Sequence, residues 1–448
     1  MDIVNNKNHP SFQNLYNVSQ SVQQNAVLNR ALIDAGGIFP WLIKSNNKQE
    51  RTERLINMST FFGFAFLAPV INVPLANRIA MRSMKLTDSF FDTNCNAIQL
   101  SNKFLTNSED MLKGLDLYNK ENKFAFSPLE RLYSKIFAKD RIKNVDIGKL
   151  IKKCQNNPEL LRKRLVGAKN WVLFSDLIIT GATLGSLGFL NNYLTKKRTG
   201  KSGFSAELYM ADPKIIEQRS AKYEQNKKRN IKKLAGIVLL VSSLVPMAFS
   251  RGLLSKNSNK FTKFIKNHAK YTDYTKGVFM SRFTMLTGII MNMSGLLLAS
   301  RNKTERKDWL IRCLITNPVF LGGDLLSASL ISNICDKLFK TKLTEKSQNG
   351  NILKSVFPKV KTLEQIDREV KNNELSKLHK PLSQGIYWGN MVLCALMLAY
   401  LVPTLCNKMI RNDVNKSVDE EKANRSLNNN YLKYSVKNMD NFIKNSVK

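Results

Sequence analysis

Six long stretches almost free of charge decide what this chain can become. They cover residues 55–77, 170–195, 234–254, 278–300, 313–335 and 381–407. A helix rises 1.5 Å per residue, so about 20 mostly apolar residues cross the hydrocarbon core of a bilayer. The first stretch has no charged residue between Arg54 and Arg78, and the sixth has none at all. The second carries only Asp176 and the fifth only Asp324. The third reaches full length if Arg251 extends its head to the interface. The fourth gains a turn from Val278, Phe279 and Met280, before Arg282.

The mean hydropathy of −0.26 would pass for that of a soluble protein. That average hides a segregation, because charge is crowded between the stretches, as in the run from Arg301 to Asp308. Trp171, Trp309, Tyr387 and Trp388 fall near stretch ends, where amphipathic rings prefer the headgroup level. The pattern specifies an all-α, polytopic helical membrane protein with about six transmembrane helices, basic helical loops and no sheet of any size.

The organisation follows. Residues 1–54 form a basic N-terminal region, in which the mostly apolar patch Ala31–Ile43 is too short to span and reads as an interfacial or re-entrant segment. Residues 78–169 form a helical extramembrane loop domain, with Ser127–Leu165 as a small helical unit of its own. Residues 196–233, 255–277, 301–312 and 336–380 are basic connectors, and 408–448 is a polar tail. The start shows no basic region followed by an apolar core, so insertion is expected to rely on the first internal span.

Seventy Lys and Arg against thirty-four Asp and Glu leave a formal charge of +36. In a soluble protein this excess would suggest nucleic acid. In a membrane protein it sits against anionic headgroups, each cation near the surface contributing roughly 1 kcal/mol. The expected partners are therefore the bilayer and its anionic lipids, with a protein partner or a second copy of the chain as further candidates; nucleic acid is not expected. The shortest connector, 301–312, carries Arg301, Lys303, Arg306, Lys307 and Arg312. Basic short loops stay cytoplasmic, which puts both termini of a six-span chain in the cytoplasm, in a plasma or inner membrane.

No catalytic, metal or cofactor residues stand out. The six cysteines form no CxxC pair, the three histidines all lie outside the spans, and no phosphate-binding, nucleophile-elbow, zinc-protease or dinucleotide motif occurs.

Asp176 and Asp324 are the sharpest functional candidates, because a carboxylate in a spanning segment costs about 2.5–3.5 kcal/mol on insertion scales and usually faces a bundle interior or water. One reading is a proton or cation relay in a transporter-like or channel-like bundle. The other is a polar clamp between helices in a non-transporting anchor whose basic loops bind anionic lipid or an acidic partner. Pro69, Pro74, Pro246, Pro318 and Pro403 are expected kinks, and kinked spans build substrate sites in transporters. Gly181, Gly185, Gly322 and Gly323 mark expected close approaches between helices.

Overall fold

The computed structural model describes residues 10–23, 26–64, 68–88, 97–98, 100, 101–120, 146–208, 210, 212–257, 259–274, 281–345 and 356–446. The fold is all-α. Among the described residues, β pairing is limited to an isolated bridge between Thr344 and Val360. The stretch Pro128–Phe137, expected to form part of a small helical unit, lies outside the described residues.

Local chemistry sets the helix ends. Helix α1 spans Pro10–Gln23, α2 Ala26–Ile43, α3 Lys48–Phe62 and α4 Ala68–Ser83. The Asn47 side chain caps α3 by accepting from the Glu50 amide. Helices α5 (Ser108–Lys120) and α6 (Ile147–Lys153) precede the long α7 (Pro158–Thr199) and α8 (Pro213–Leu254). Asn157 caps α7 and Pro158 stands in its first turn, while three cations, Lys196, Lys197 and Arg198, face the negative end of its dipole. Gly200, at φ +70°, ends it in the left-handed conformation that suits glycine. Short α9 (Lys260–His268) is followed by α10 (Arg282–Ala299) and α11 (Lys303–Pro318). A π turn, Val319–Gly323, joins α11 to α12 (Asp324–Phe339). Then come α13 (Leu363–Lys371), opened by a Thr362/Gln365 capping box, and α14 (His379–Ser446).

Among the described residues four helical segments are long and apolar enough to cross a membrane: Pro158–Thr199, Pro213–Leu254, Lys303–Phe339 and His379–Glu420. They carry the second, third, fifth and sixth apolar stretches. Four is fewer than the expected six. The described parts of the first stretch lie in α3 and α4, and residues 65–67 between them are outside the described set. The fourth lies in α10, whose apolar part is Thr284–Ala299. That part is roughly 24 Å long, short of a hydrocarbon core about 30 Å thick. Residues 278–280, which were to extend it, are outside the described set.

The apolar faces open outward. Met247 on α8 is 62% exposed and Tyr400 on α14 is 70% exposed, and Leu239, Leu240, Leu325, Leu326 and Leu396 are more than half exposed. Large apolar side chains turned outward along the longest helices are what lipid, and not water, accommodates. The architecture is that of a helical bundle consistent with a multi-pass membrane protein.

Two groups of helices make the bundle. In the first, α7, α8 and α10 pack together, and α4 lies against α7. In the second, α2 lies along α14, which also carries α11, α12 and α13. The Ala31–Ile43 patch lies within α2, where Gly36 and Gly37 bring the backbone against Ala395 and Leu398 of α14. A separate apolar core, including Leu105, Met111, Leu115, Leu150 and Leu161, ties α5 and α6 to the start of α7.

Candidate functional site

The two groups meet along a seam, and the ties across it gather where α7 ends, α8 begins and the α10–α11 turn passes. Helix α3 supplies the central acids. Glu53 is 7% exposed and accepts from Arg301, with Nη1 to Oε1 at 3.1 Å and Nη2 to Oε2 at 3.2 Å. Arg301, 2% exposed, also binds Glu305, with Nη2 to Oε1 at 2.8 Å and Nε to Oε2 at 3.0 Å. One guanidinium thus bridges two buried carboxylates. Thr195 of α7 and Ser205 donate to Glu53 as well. Burial works against the Arg301 charge, yet Glu305 and Glu53 together hold its pKa well above the usual arginine value.

Beside this junction is a cavity of about 170 Å³, lined from α2, α3, α7, α10, α11 and α14. Three ion pairs wall it: Arg30 with Asp34 at 2.9 Å, Arg312 with Asp308 at 2.8 Å, and Arg54 with Glu50. Each joins residues four apart on one helix. Burial and the nearby Arg312 lower the Arg54 pKa to about 10, against the pull of Glu50. Asn292 Oδ1, Asp308 Oδ1 and Thr316 Oγ1, on lining residues, are buried without a hydrogen-bond partner. Buried polar atoms are rarely left so, which marks the cavity as a place where a small polar guest would be held.

The anticipated carboxylates occupy other places. Asp324 is 4% exposed and begins α12 just after the π turn; its Oδ2 accepts from Asn29 Nδ2 at 2.9 Å. Asn390 of α14 donates to its carbonyl at 2.8 Å, and Tyr387 donates to Asn29 Oδ1 at 3.0 Å. Asp176, 2% exposed on α7, accepts from Tyr274 at 3.0 Å and from Asn72 of α4 at 3.5 Å. These networks name no common residue, and neither aspartate lines the cavity. The structure does not bring the two together. Asp324 is tied to the cavity through α2, where Asn29, its partner, is followed by Arg30 of the cavity wall.

The prolines fall at different kinds of position. Pro74, Pro246 and Pro403 are inside α4, α8 and α14, Pro69 stands in the first turn of α4, and Pro318 closes α11 before the π turn. The glycines separate too. A Cβ on Gly181 would lie 2.7 Å from Met291 Sδ, and one on Gly185 would lie 3.2 Å from Leu234. A Cβ on Gly322 would meet nothing within 4 Å, and one on Gly323 would meet only its own helical turn, with Pro318 O at 3.1 Å.

Sequence reasoning missed two things. Gly295 of α10 comes so close to α7 that a Cβ there would fall 1.9 Å from the Gly185 carbonyl oxygen. The buried ion pairs were missed as well, although opposite charges four apart at the edges of the first, fourth and fifth apolar stretches were a readable signal. Among the described residues no group of His, Cys, Asp and Glu suits a metal ion.

No protein-family model, curated protein or solved structure matches the chain.

Proposed function

We propose that the chain is a six-span, transporter-like membrane protein in which a proton or small cation passes along the seam between the two helix groups, by way of the cavity and Asp324. The observation that carries this reading is the cavity at the seam, walled by ion pairs and holding three unpartnered polar atoms. Its wall is suited to opening. Because Arg30–Asp34, Arg54–Glu50 and Arg312–Asp308 are each contained in one helix, the groups can part without leaving those charges alone. Glu53–Arg301 bridges different elements at the junction, and Glu305 keeps Arg301 neutralised if that contact breaks. Asp324, a buried carboxyl next to a π turn, is proposed as the polar group that the proton or cation meets on this path. Asp176 is proposed as a clamp holding α4 to α7.

In this reading the first and fourth stretches also cross the bilayer, the first as the α3–α4 pair. The 301–312 connector and both termini face the cytoplasm of a plasma or inner membrane. The alternative is a non-transporting anchor whose basic surface holds anionic partners.

The test is proton and potassium flux into liposomes containing the purified chain, read with an internal pH dye and a potassium-selective electrode. Flux above that of empty liposomes, lowered by Asp324→Asn and left in place by the surface variant Lys113→Gln, is the expected result. Flux equal to that of empty liposomes would favour the anchor.

A further inference from the structure

A second concavity, of about 910 Å³, lies at the outer end of the seam, separate from the first cavity, between α8, the start of α11 and the part of α14 beyond Asn407. Its walls are fixed to one another. Arg219 of α8 donates to Thr304 of α11 at 2.6 Å and to Ser417 of α14 at 3.1 Å, and pairs with Glu207 at 3.2 Å. Asp413 of α14 receives Lys307 at 3.0 Å and Thr304 at 3.2 Å. The cleft is therefore formed before any ligand arrives.

Besides Arg301, which Glu53 and Glu305 already engage, six further cations line it: Lys222, Arg229, Lys233, Lys303, Arg306 and Lys416. All six are exposed, and none of their charged side-chain groups has an ion-pair or hydrogen-bond partner among the described residues. On α8 the positions 222, 226, 229, 230 and 233 repeat at helical spacing, so that helix turns one polar face into the cleft. Against these cations stand two acids, Asp413, already engaged by Lys307, and Glu420. Such an excess fits a ligand with more than one negative charge.

Depth decides which one. Lys233 is the last charge before the apolar run Leu234–Ser250 of α8, and Leu298 and Ser300, also in the lining, stand where the apolar α10 ends. Asn230 donates to the Leu298 carbonyl at 3.0 Å, so the cleft's lip is the edge at which polar sequence gives way to apolar sequence on both helices. Just past this lip, Leu239 and Leu240 are exposed. A ligand seated here has its charge among the cations and room for hydrocarbon along α8. Basic pockets between spanning helices on the cytoplasmic side hold the headgroups of multiply charged lipids.

We propose that this cleft binds the headgroup of an anionic phospholipid bearing two phosphates. The proposal rests on the membrane reading of the chain and is independent of whether the seam conducts.

The experiment uses the full chain in nanodiscs of phosphatidylcholine, alone or with phosphatidylglycerol or diphosphatidylglycerol, with retained lipid counted by native mass spectrometry. Inorganic pyrophosphate is the soluble probe. The expected result is selective retention of diphosphatidylglycerol. The triple variant Lys222→Gln/Arg229→Gln/Arg306→Gln is expected to weaken it by on the order of a hundredfold, since each surface cation contributes roughly a factor of five. A control triple remote from the cleft, Lys149→Gln/Lys152→Gln/Lys163→Gln, should retain the lipid as the parent does. Equal retention by both triples would overturn the proposal, as would pyrophosphate binding without lipid selectivity. Failure of the parent chain to enter nanodiscs of any composition would overturn the membrane reading instead, and the proposal with it.

Discussion

Removing Arg301 would leave Glu53 and Glu305 facing one another in the interior without their common cation. Breaking a buried pair on one side costs roughly 3–5 kcal/mol, because the remaining charge has neither water nor a partner. Arg301→Met is therefore expected to lower the thermal midpoint of the detergent-purified protein sharply. The triple variant Arg301→Met/Glu53→Gln/Glu305→Gln should regain part of the loss, since no lone charge remains. A midpoint unaffected by Arg301→Met would mean that the junction does not form. Gly295 makes a second test at the same scale. A methyl group there meets a backbone oxygen, which cannot swing aside, so Gly295→Ala should destabilise by roughly 1–3 kcal/mol or more. Gly322→Ala, with nothing within 4 Å, should leave the midpoint within a few tenths of a kcal/mol or raise it slightly. Equal effects of the two alanines would contradict the α7–α10 contact.

The connector between α12 and α14 has a pH dependence whose sign follows from its ion pairs. Lys359 and Gln365 hold the Glu345 carboxyl below its ordinary value. At Asp367 burial acts the other way, but Lys371 and Lys380 still bring the carboxyl below the usual range. Both groups are more acidic folded than unfolded. Their contribution is thus present above the ordinary carboxylate range and is lost as pH falls through the folded values. Hydrogen exchange in residues 359–371, corrected for intrinsic rates, should show protection at about pH 7 that is lost near pH 3. Equal protection at both would count against these pairs. The connector also shows what was legible in the sequence and what was not. Long apolar stretches and helix signals such as Asn157–Pro158 and Thr362–Gln365 are local, so the helices that carry them could be read directly. The span count fell short where apolar length was marginal, as in the Thr284–Ala299 part of α10. The junction escaped because Glu53 and Arg301 are 248 residues apart, and each looks like an ordinary loop charge beside its own stretch. Asp324 was visible as a charge among apolar residues, but its partner Asn29 lies 295 positions away.

Taken whole, the protein turns apolar side chains outward along its longest helices and keeps its ionic groups inside or beyond the ends of the apolar runs. It should stay in the membrane pellet after washing with alkaline carbonate or high salt and leave it only in detergent. Release by salt alone would show attachment through basic surface charge, and recovery in the supernatant without detergent would remove the membrane reading altogether. The +36 charge should matter for the rate and lipid dependence of insertion, with little effect on retention afterwards. Helix α14 adds something the rest of the bundle lacks. Its 68 residues make a rod about 100 Å long, of which roughly 60 Å lies beyond Asn407. Ile410 and Val414 are buried against Phe204 and Ala206, so the rod has a fulcrum just outside its apolar half. Swinging that half by about 10° would sweep the far tip through some ~10 Å, enough for a shift inside the bilayer to be felt by whatever stands near the tip.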